Sequence, residues 1–520
     1  MLLFLLLPFL GLMKVTIIGG GVAGLAAGCY LQMSGFETII CERGLTAGGL
    51  CTSWKKGAYT FESGFQWLMG SGPANPFYKL WSEILDMDSI TFVNHEVRMD
   101  IEVRTHADPR GNKIFHLYAN LDRLRSYLLE ISPEDRLPVE SLIRSMRKIQ
   151  SFEIPPEIRS VPELIPPLRK IKFIKHLPLL FFLKGYKKET NFTFARKLKS
   201  PFLCEAFELL FDGEEQPLMI ITIPLAFNDL QATGYPIGGA SAMVNKMRDR
   251  YVELGGNIRY RSGVTKILTE KNRATGVELE TRERVLSDYV ISVADWHFTM
   301  LQALEGKYLS KKMIALKEEK DLKIYPSVII VSLGISRKLD QEAHFIRFPL
   351  SSELVSPDGT VYHHLESHIY NYDPTLAPAG KTVVSFSFYT EHGDYWISLR
   401  KTDREAYDRN KTEFSEKVID LAEKIYGNIR ACIEEADVAT PATFHRYTNN
   451  YRGSVQGWMP GKNIIAQSPV KLTVPGLSNF YFAGHWTIPG GGLPVAIKSA
   501  RDAVQMLCDE AGTPFRSFSP

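Results

Sequence analysis

The sequence predicts an α/β protein: a strand–helix–strand unit at the N-terminus, with a second, α+β domain interleaved with it. Three observations carry this. A short β-branched run, VTII at 15–18, leads directly into Gly19-x-Gly21-x-x-Gly24 and a helix-forming stretch. Further glycine-rich segments recur far downstream, GYPIGGAS at 234–241 and GHWTIPGGGLP at 484–494. The chain has 520 residues, more than one hydrophobic core usually spans, so at least two domains are expected.

Bulk composition excludes several classes. Hydrophobic residues make up 45% and charged residues 23%, the balance of an ordinary globular protein. A net charge of +3 is too small to point to nucleic acid, so any electrostatic role must come from local clustering. The six cysteines contain no CxxC pair, which argues against a zinc site or a dithiol redox pair, and no metal is expected. Their lack of pattern fits a reducing compartment, and the expected location is cytoplasmic. The first twelve residues, MLLFLLLPFLGL, are apolar. They fall short of the roughly 20 residues that span a bilayer and lack the basic start of a signal peptide. They read as a membrane-touching tail or as sequence before a start at Met13, and the start at Met13 is favoured.

The fingerprint comes next. Residues 15–18 suit a buried parallel strand. Gly19 permits the tight strand-to-helix turn, Gly21 lets the backbone approach a pyrophosphate, and Gly24 lets the helix pack closely on the strand. The helix is expected over 22–33, with Val22 and Ala23 in its first turn, where free N–H groups and the helix dipole favour phosphate. Gly35 closes it, and residues 36–41 read as the second strand. Glu42 ends that strand eighteen residues after Gly24, where a carboxylate accepts both ribose hydroxyls and disfavours a 2′-phosphate. The unit is thus Rossmann-like, with every part in register.

Residues Glu42-Arg43, Gly48-Gly49-Leu50 and FESG at 61–64 follow. This run resembles the extended dinucleotide motif of the flavin-containing amine oxidase and phytoene desaturase superfamily, which implies FAD. The segment at 234–241 opens a helix to about residue 254; Gly255-Gly256-Asn257 and a strand lead to Val264. By the same resemblance the residue at Val264 holds the adenine through its backbone, and residues 288–295 form a strand returning to the FAD sheet. Near the C-terminus, 481–483 reads as a strand. Gly484 allows close contact with the ribityl chain, and residues 490–492 place bare N–H groups at the start of a helix reaching about residue 507. Such a terminus stabilises negative charge on a reduced flavin.

The strongest resemblance is to the phytoene desaturase-like branch, which includes carotenoid desaturases, carotenoid isomerases and retinol saturases. It rests on these motifs together with DPTLAPAGK at 373–381 and GSVQG at 453–457, spread along the whole chain. It implies a discontinuous FAD-binding domain of the GR2 type, assembled from 13–90, 234–300 and 440–512. Residues 91–233 and 301–439 would form the substrate domain. Strands are expected at 327–335 and 382–389, and an amphipathic helix at 406–427. Cofactor contacts are expected from Gly19, Gly21, Val22, Ala23, Gly24, Glu42, Arg43, Gly48, Gly49, Leu50, Val264, Gly484, His485, Gly491, Gly492 and Leu493. His485 departs from many relatives, which carry an acidic residue there. No catalytic side chain is assigned, because the chemistry would be centred on the flavin. No second GxGxxG follows a strand, so a separate NAD(P)H domain is not expected.

The stretch 164–199 mixes ten Lys and Arg with apolar residues and a single acid, Glu189. It reads as a segment that docks peripherally on an anionic membrane and admits a lipophilic substrate. The resulting expectation is a flavin oxidoreductase acting on a long apolar polyene or isoprenoid, by desaturation, saturation or cis–trans isomerisation. Two alternatives stand beside it: an amine oxidase-like enzyme on a polar amine, and a flavin-free prenyl carrier like the Rab GDP-dissociation inhibitors.

Overall fold

The computed structural model describes residues 12–151, 189–211, 215–320, 322–339, 343–459 and 470–520. Residues 1–11, and 164–188 of the expected docking segment, lie outside them. In chain order, the strands of the two large sheets are β1 (Lys14–Ile18), β2 (Glu37–Cys41), β3 (Val97–Glu102), β4 (Ile114–Tyr118), β5 (Asn257–Arg259) and β6 (Tyr289–Ser292). They continue with β7 (Ser327–Ile335), β8 (Phe345–Val355), β9 (Val361–Ile369), β10 (Thr382–Thr390), β11 (Ile433–Ala439) and β12 (Phe480–Phe482).

The first sheet has the order β12-β6-β1-β2-β5, and every pairing is parallel. Its strands come from three distant parts of the chain, and the inner ones, β1 and β6, bring short apolar runs, as a parallel sheet covered on both faces requires. Helix α1 (Val22–Met33) has the expected bounds. A Cβ on Gly24 would sit 2.0 Å from the Gly19 carbonyl oxygen, so only glycine lets α1 rest on the end of β1. Gly35, at φ +89°, turns the chain into β2, which begins at Glu37.

Above α1 lie α3 (Gly239–Glu253) and α6 (Gly492–Ala511), so three distant pieces of sequence share one core. Helix α6 runs past its expected end because its buried face continues through Leu507 and Cys508; it stops at Gly512, at φ +66°.

The second sheet has the order β11-β7-β10-β9-β8-β3-β4, antiparallel except where β8 meets β3. Its two faces differ. Ile329, Val331, Leu333, Val384, Phe386 and Leu365 join the core that packs α4 (Gly393–Thr402) and α5 (Arg404–Tyr426). Val328, Ile330, Ser387, Tyr389, His364, Glu366, Arg347 and Phe345 point the other way, into a cavity. This is the period-2 alternation of a sheet working on both sides. Helix α5 starts two residues earlier than expected because Asp403 caps it, accepting the Ala406 N–H at 2.9 Å. Helix α2 (Met219–Asp229), carrying Pro224, lies over the cavity.

Candidate functional site

A cavity of about 1380 Å³ reaches from the tips of β1 and β2 to the open face of the second sheet. Single-ligand pockets run to about 1,000 Å³, so this one holds a large cofactor and a second molecule.

At one end stand β1, β2 and the first turn of α1. Gly19, Gly21, Val22, Ala23, Glu42, Arg43, Gly48, Gly49 and Leu50 all line the cavity there. No side chain caps α1, and its first turn contains no acidic residue, so its leading N–H groups are left for an anion. Gly48 donates its N–H to the Gly20 carbonyl at 2.9 Å and has φ +129°. A Cβ on Gly48 would meet the Cys51 carbonyl oxygen at 2.5 Å. The glycines at 48–49 therefore hold a loop against the fingerprint turn.

Glu42 is buried, and its carboxylate accepts the Gly20 N–H at 2.6 Å and the Gly44 N–H at 2.5 Å. Burial pushes its pKa up, and the backbone N–H donors pull it back down. Oε2 takes the Gly20 N–H and Oε1 the Gly44 N–H, and each keeps acceptor capacity for a hydroxyl. Arg43 stands 4.0 Å from Glu280 at the rim. Val264, at the start of the strand Val264–Glu270, lines the same end with Gly263 and Glu280.

The middle is formed by the C-terminal segment. Gly491 and Gly492 have φ of +48° and +82°, and a Cβ on Gly491 would strike the Gln456 carbonyl oxygen at 2.1 Å. The N-terminus of α6 likewise has no side-chain cap and no acid in its first turn, and Gly491, Gly492 and Leu493 face the cavity. His485 lines it too. Its Nε2 has no partner among the described residues, and burial lowers its pKa to about 4, so the ring is neutral near pH 7.

Two expected residues sit off the cavity wall. Gly24 acts through packing on Gly19. Gly484, at φ +106°, donates its N–H to Ser499 Oγ at 2.9 Å, tying the end of β12 to α6.

Sequence reasoning missed the other end. Its floor is Val328, Ile330, Ser387 and Tyr389, and its roof includes Met219, Ile220, Ile223 and Pro224 of α2. The alternation in β10, VSFSFY, carried a signal, since Ser387 and Tyr389 face the cavity while Val384 and Phe386 face the core. β7 carried none, because every residue in it is buried. Among the described residues no His, Cys, Asp or Glu group could hold a metal, and no helix is long and apolar enough to cross a membrane.

Comparison with known proteins accords with this geometry. A family model described as flavin containing amine oxidoreductase matches residues 22–508. A chloroplastic prolycopene isomerase from an Oncidium hybrid cultivar is 24% identical, over 92% of this chain and 80% of its own. A 4,4′-diapophytoene desaturase from Methylomonas is 24% identical over 97% of both chains. An oxidoreductase from Methanosarcina mazei, 19% identical, superposes with a TM-score of 0.56 over 96% of this chain and all of that one, and so shares the fold. The cofactor is FAD, and the residues present suit it: two uncapped helix N-termini, a glycine-walled channel and a buried ribose-type carboxylate face one cavity.

Proposed function

The chain belongs to the flavin containing amine oxidoreductase family, in its phytoene desaturase-like branch, and on that premise we propose that this FAD-dependent oxidoreductase acts on a long apolar polyene or isoprenoid. The observation that carries the reading is the shape and lining of the cavity. It begins at the dinucleotide fingerprint and continues over a floor of Val328 and Ile330 beneath Met219, Ile220 and Ile223. A hydrocarbon offers few polar handles, so its binding must come from apolar burial, at about 25 cal/mol per Å².

When bound, FAD supplies hydride exchange at its N5 atom with an allylic carbon or a double bond. The chain's tasks are holding, aligning and drying the site. In our reading Gly19, Gly21, Val22 and Ala23 receive the pyrophosphate, with Gly24 fixing the turn. Glu42 accepts the ribose hydroxyls beside Arg43. Residues 48–50 close over the dinucleotide, and Val264 holds the adenine. Gly491, Gly492 and Leu493 offer N–H groups to the pyrimidine side of the ring. Gly484 anchors that segment, and His485 packs beside it as a neutral ring. The pieces 13–90, 234–300 and 440–512 would then be the cofactor domain. The floor and α2 lay the chain along the ring and keep water out. Besides the hydride, desaturation releases a proton from the neighbouring carbon and saturation takes one up there; we assign that proton to no side chain.

A lipid-soluble substrate enters from a membrane, and the basic, apolar stretch 164–199 is our choice for peripheral contact. Charge reversal at Lys170, Lys172 and Lys175 should abolish co-sedimentation with anionic liposomes.

Anaerobic incubation with carotenoids and retinoids tests the reaction. Flavin bleaching with a product lighter by two hydrogens marks desaturation. Reduced enzyme yielding a product heavier by two hydrogens marks saturation, and a product of unchanged mass and altered retention marks isomerisation. No bleaching and no product across the panel, with peroxide released from polyamines in a parallel incubation in air, would overturn the reading in favour of a polar amine.

A further inference from the structure

Arg98 is the one arginine on the cavity wall with no carboxylate partner among the described residues. Three arginines face the cavity. Arg43 stands beside Glu280, and Arg347 pairs with Glu366 and the Leu209 carbonyl. Arg98, on β3, is 6% exposed and has no ion pair or side-chain hydrogen bond among the described residues. Its guanidinium lies 3.5 Å over the ring of Trp67. Burying a cation without an anion is costly, and a ring face offsets only part of that cost. Stacking on Trp67 uses the face of the guanidinium and leaves its edge, five N–H donors in a fixed fork, for a ligand.

The surroundings fit an anion carrying a single charge. His95 stacks on His344 with centroids 3.5 Å apart, and His368 stacks on Phe345 at 4.4 Å. Gln66, also on the cavity wall, has its Nε2 3.2 Å from the Nε2 of His368. Burial and the nearby Arg98 charge hold the three histidines neutral, His95 near 4 and His368 near 3. Burial also pulls Arg98 down to about 9, which still leaves it charged at neutral pH. The pocket thus presents one positive charge.

Its position gives it a meaning for the substrate. From β7, which carries Ile330, to β3 the sheet takes four steps, β10, β9, β8 and β3. At about 4.8 Å per strand that is roughly 19 Å across the floor. We propose that Arg98, seated on Trp67, is a carboxylate-binding subsite, so that the substrate is a long apolar chain ending in a carboxylate. This rests on the apolar-substrate reading above and narrows it. The fork clamps the carboxylate in two parallel hydrogen bonds, and the tail runs over the floor toward α6. Fixing one end sets which carbon reaches the flavin, a register that apolar contacts alone leave free to slide.

The test uses the FAD-loaded protein with all-trans-retinoate and its methyl ester, which differ at that end in charge. Binding is read by energy transfer from tryptophan to the polyene. The wild type should bind the acid about ten- to a hundredfold more tightly than the ester, the range for a charge-assisted hydrogen-bonded pair. In Arg98→Met the two affinities should converge, while the ester binds as in the wild type. Arg98→Gln carries the same expectation if the methionine variant fails to retain flavin. Equal affinities in the wild type, or a preference that survives loss of the guanidinium, would overturn the subsite. The readout is independent of turnover. A preference that follows Arg98 with no flavin bleaching by any polyene keeps the subsite and sinks the reaction; bleaching with no such preference does the reverse.

Discussion

The carboxylate of Glu42 accepts the backbone N–H of Gly20 at 2.6 Å, joining the end of β2 to the turn that follows β1. One residue therefore shapes the fingerprint turn and lines the cavity beside it. Glu42→Ala leaves the N–H groups of Gly20 and Gly44 without their acceptor. FAD affinity should fall about 10- to 100-fold, from the loss of charge-assisted hydrogen bonds. Titration of apoprotein with FAD, followed by flavin fluorescence, measures it; unchanged affinity would remove Glu42 from the site.

Gly24 tests the packing beneath the same turn. A methyl group there would lie 2.0 Å from the Gly19 carbonyl oxygen. Gly24→Ala should cost about 1–3 kcal/mol, the usual range for overpacking, and lower flavin content as the turn is displaced. Gly111→Ala is the control: its Cβ would meet nothing within 4 Å, although its φ of +86° still costs backbone strain. Thermal melts of the two variants should separate packing from backbone strain.

Glu62 contributes its own term to the pH dependence of stability. It is fully buried and accepts the Ala240 N–H at 3.2 Å. Burial pushes its pKa up to about 8, so the native state holds a proton that the unfolded chain releases near 4.5. The unfolded state binds fewer protons at this group across that window, so the Glu62 contribution to stability falls as pH rises from about 4.5 to about 8. The loss is on the order of a few kcal/mol. Glu62→Gln stays neutral throughout, so measured against the wild type at each pH its stability should rise by a few kcal/mol between about pH 4.5 and about 8, the buried histidines contributing equally to both proteins. Urea melts at several pH values decide the matter.

The two faces of the second sheet should respond oppositely. Leu333 is in the core under α5, and Leu333→Ala should cost about 2–5 kcal/mol in unfolding with no specific effect on substrate. Ser387 faces the cavity on the neighbouring strand. Ser387→Phe should fill the floor, raise KM for long polyenes more than for short ones, and leave flavin content unchanged. Steady-state kinetics with a series of chain lengths distinguishes a blocked floor from a damaged fold.

By itself the sequence determined the cofactor end. Glycine at 19, 21 and 24 and acid at 42 are local requirements of one turn, readable because each follows from backbone geometry within a single strand–helix–strand unit. The strands of 327–335 and 382–389 were legible in the sequence, and the alternation of β10 hinted at its two sides, but which side of β7 met a core and which met a cavity was not legible. Every residue of β7 is buried, so its alternation carries no contrast between water and interior. Only the tertiary structure brought β3 beside β8 and Trp67 beneath Arg98, an arginine that in sequence is one charged residue in a strand of mixed character. Burial without an anion is a property of what surrounds a side chain, and those surroundings come from residues 66–67, 95, 344–345 and 368, which no local pattern connects.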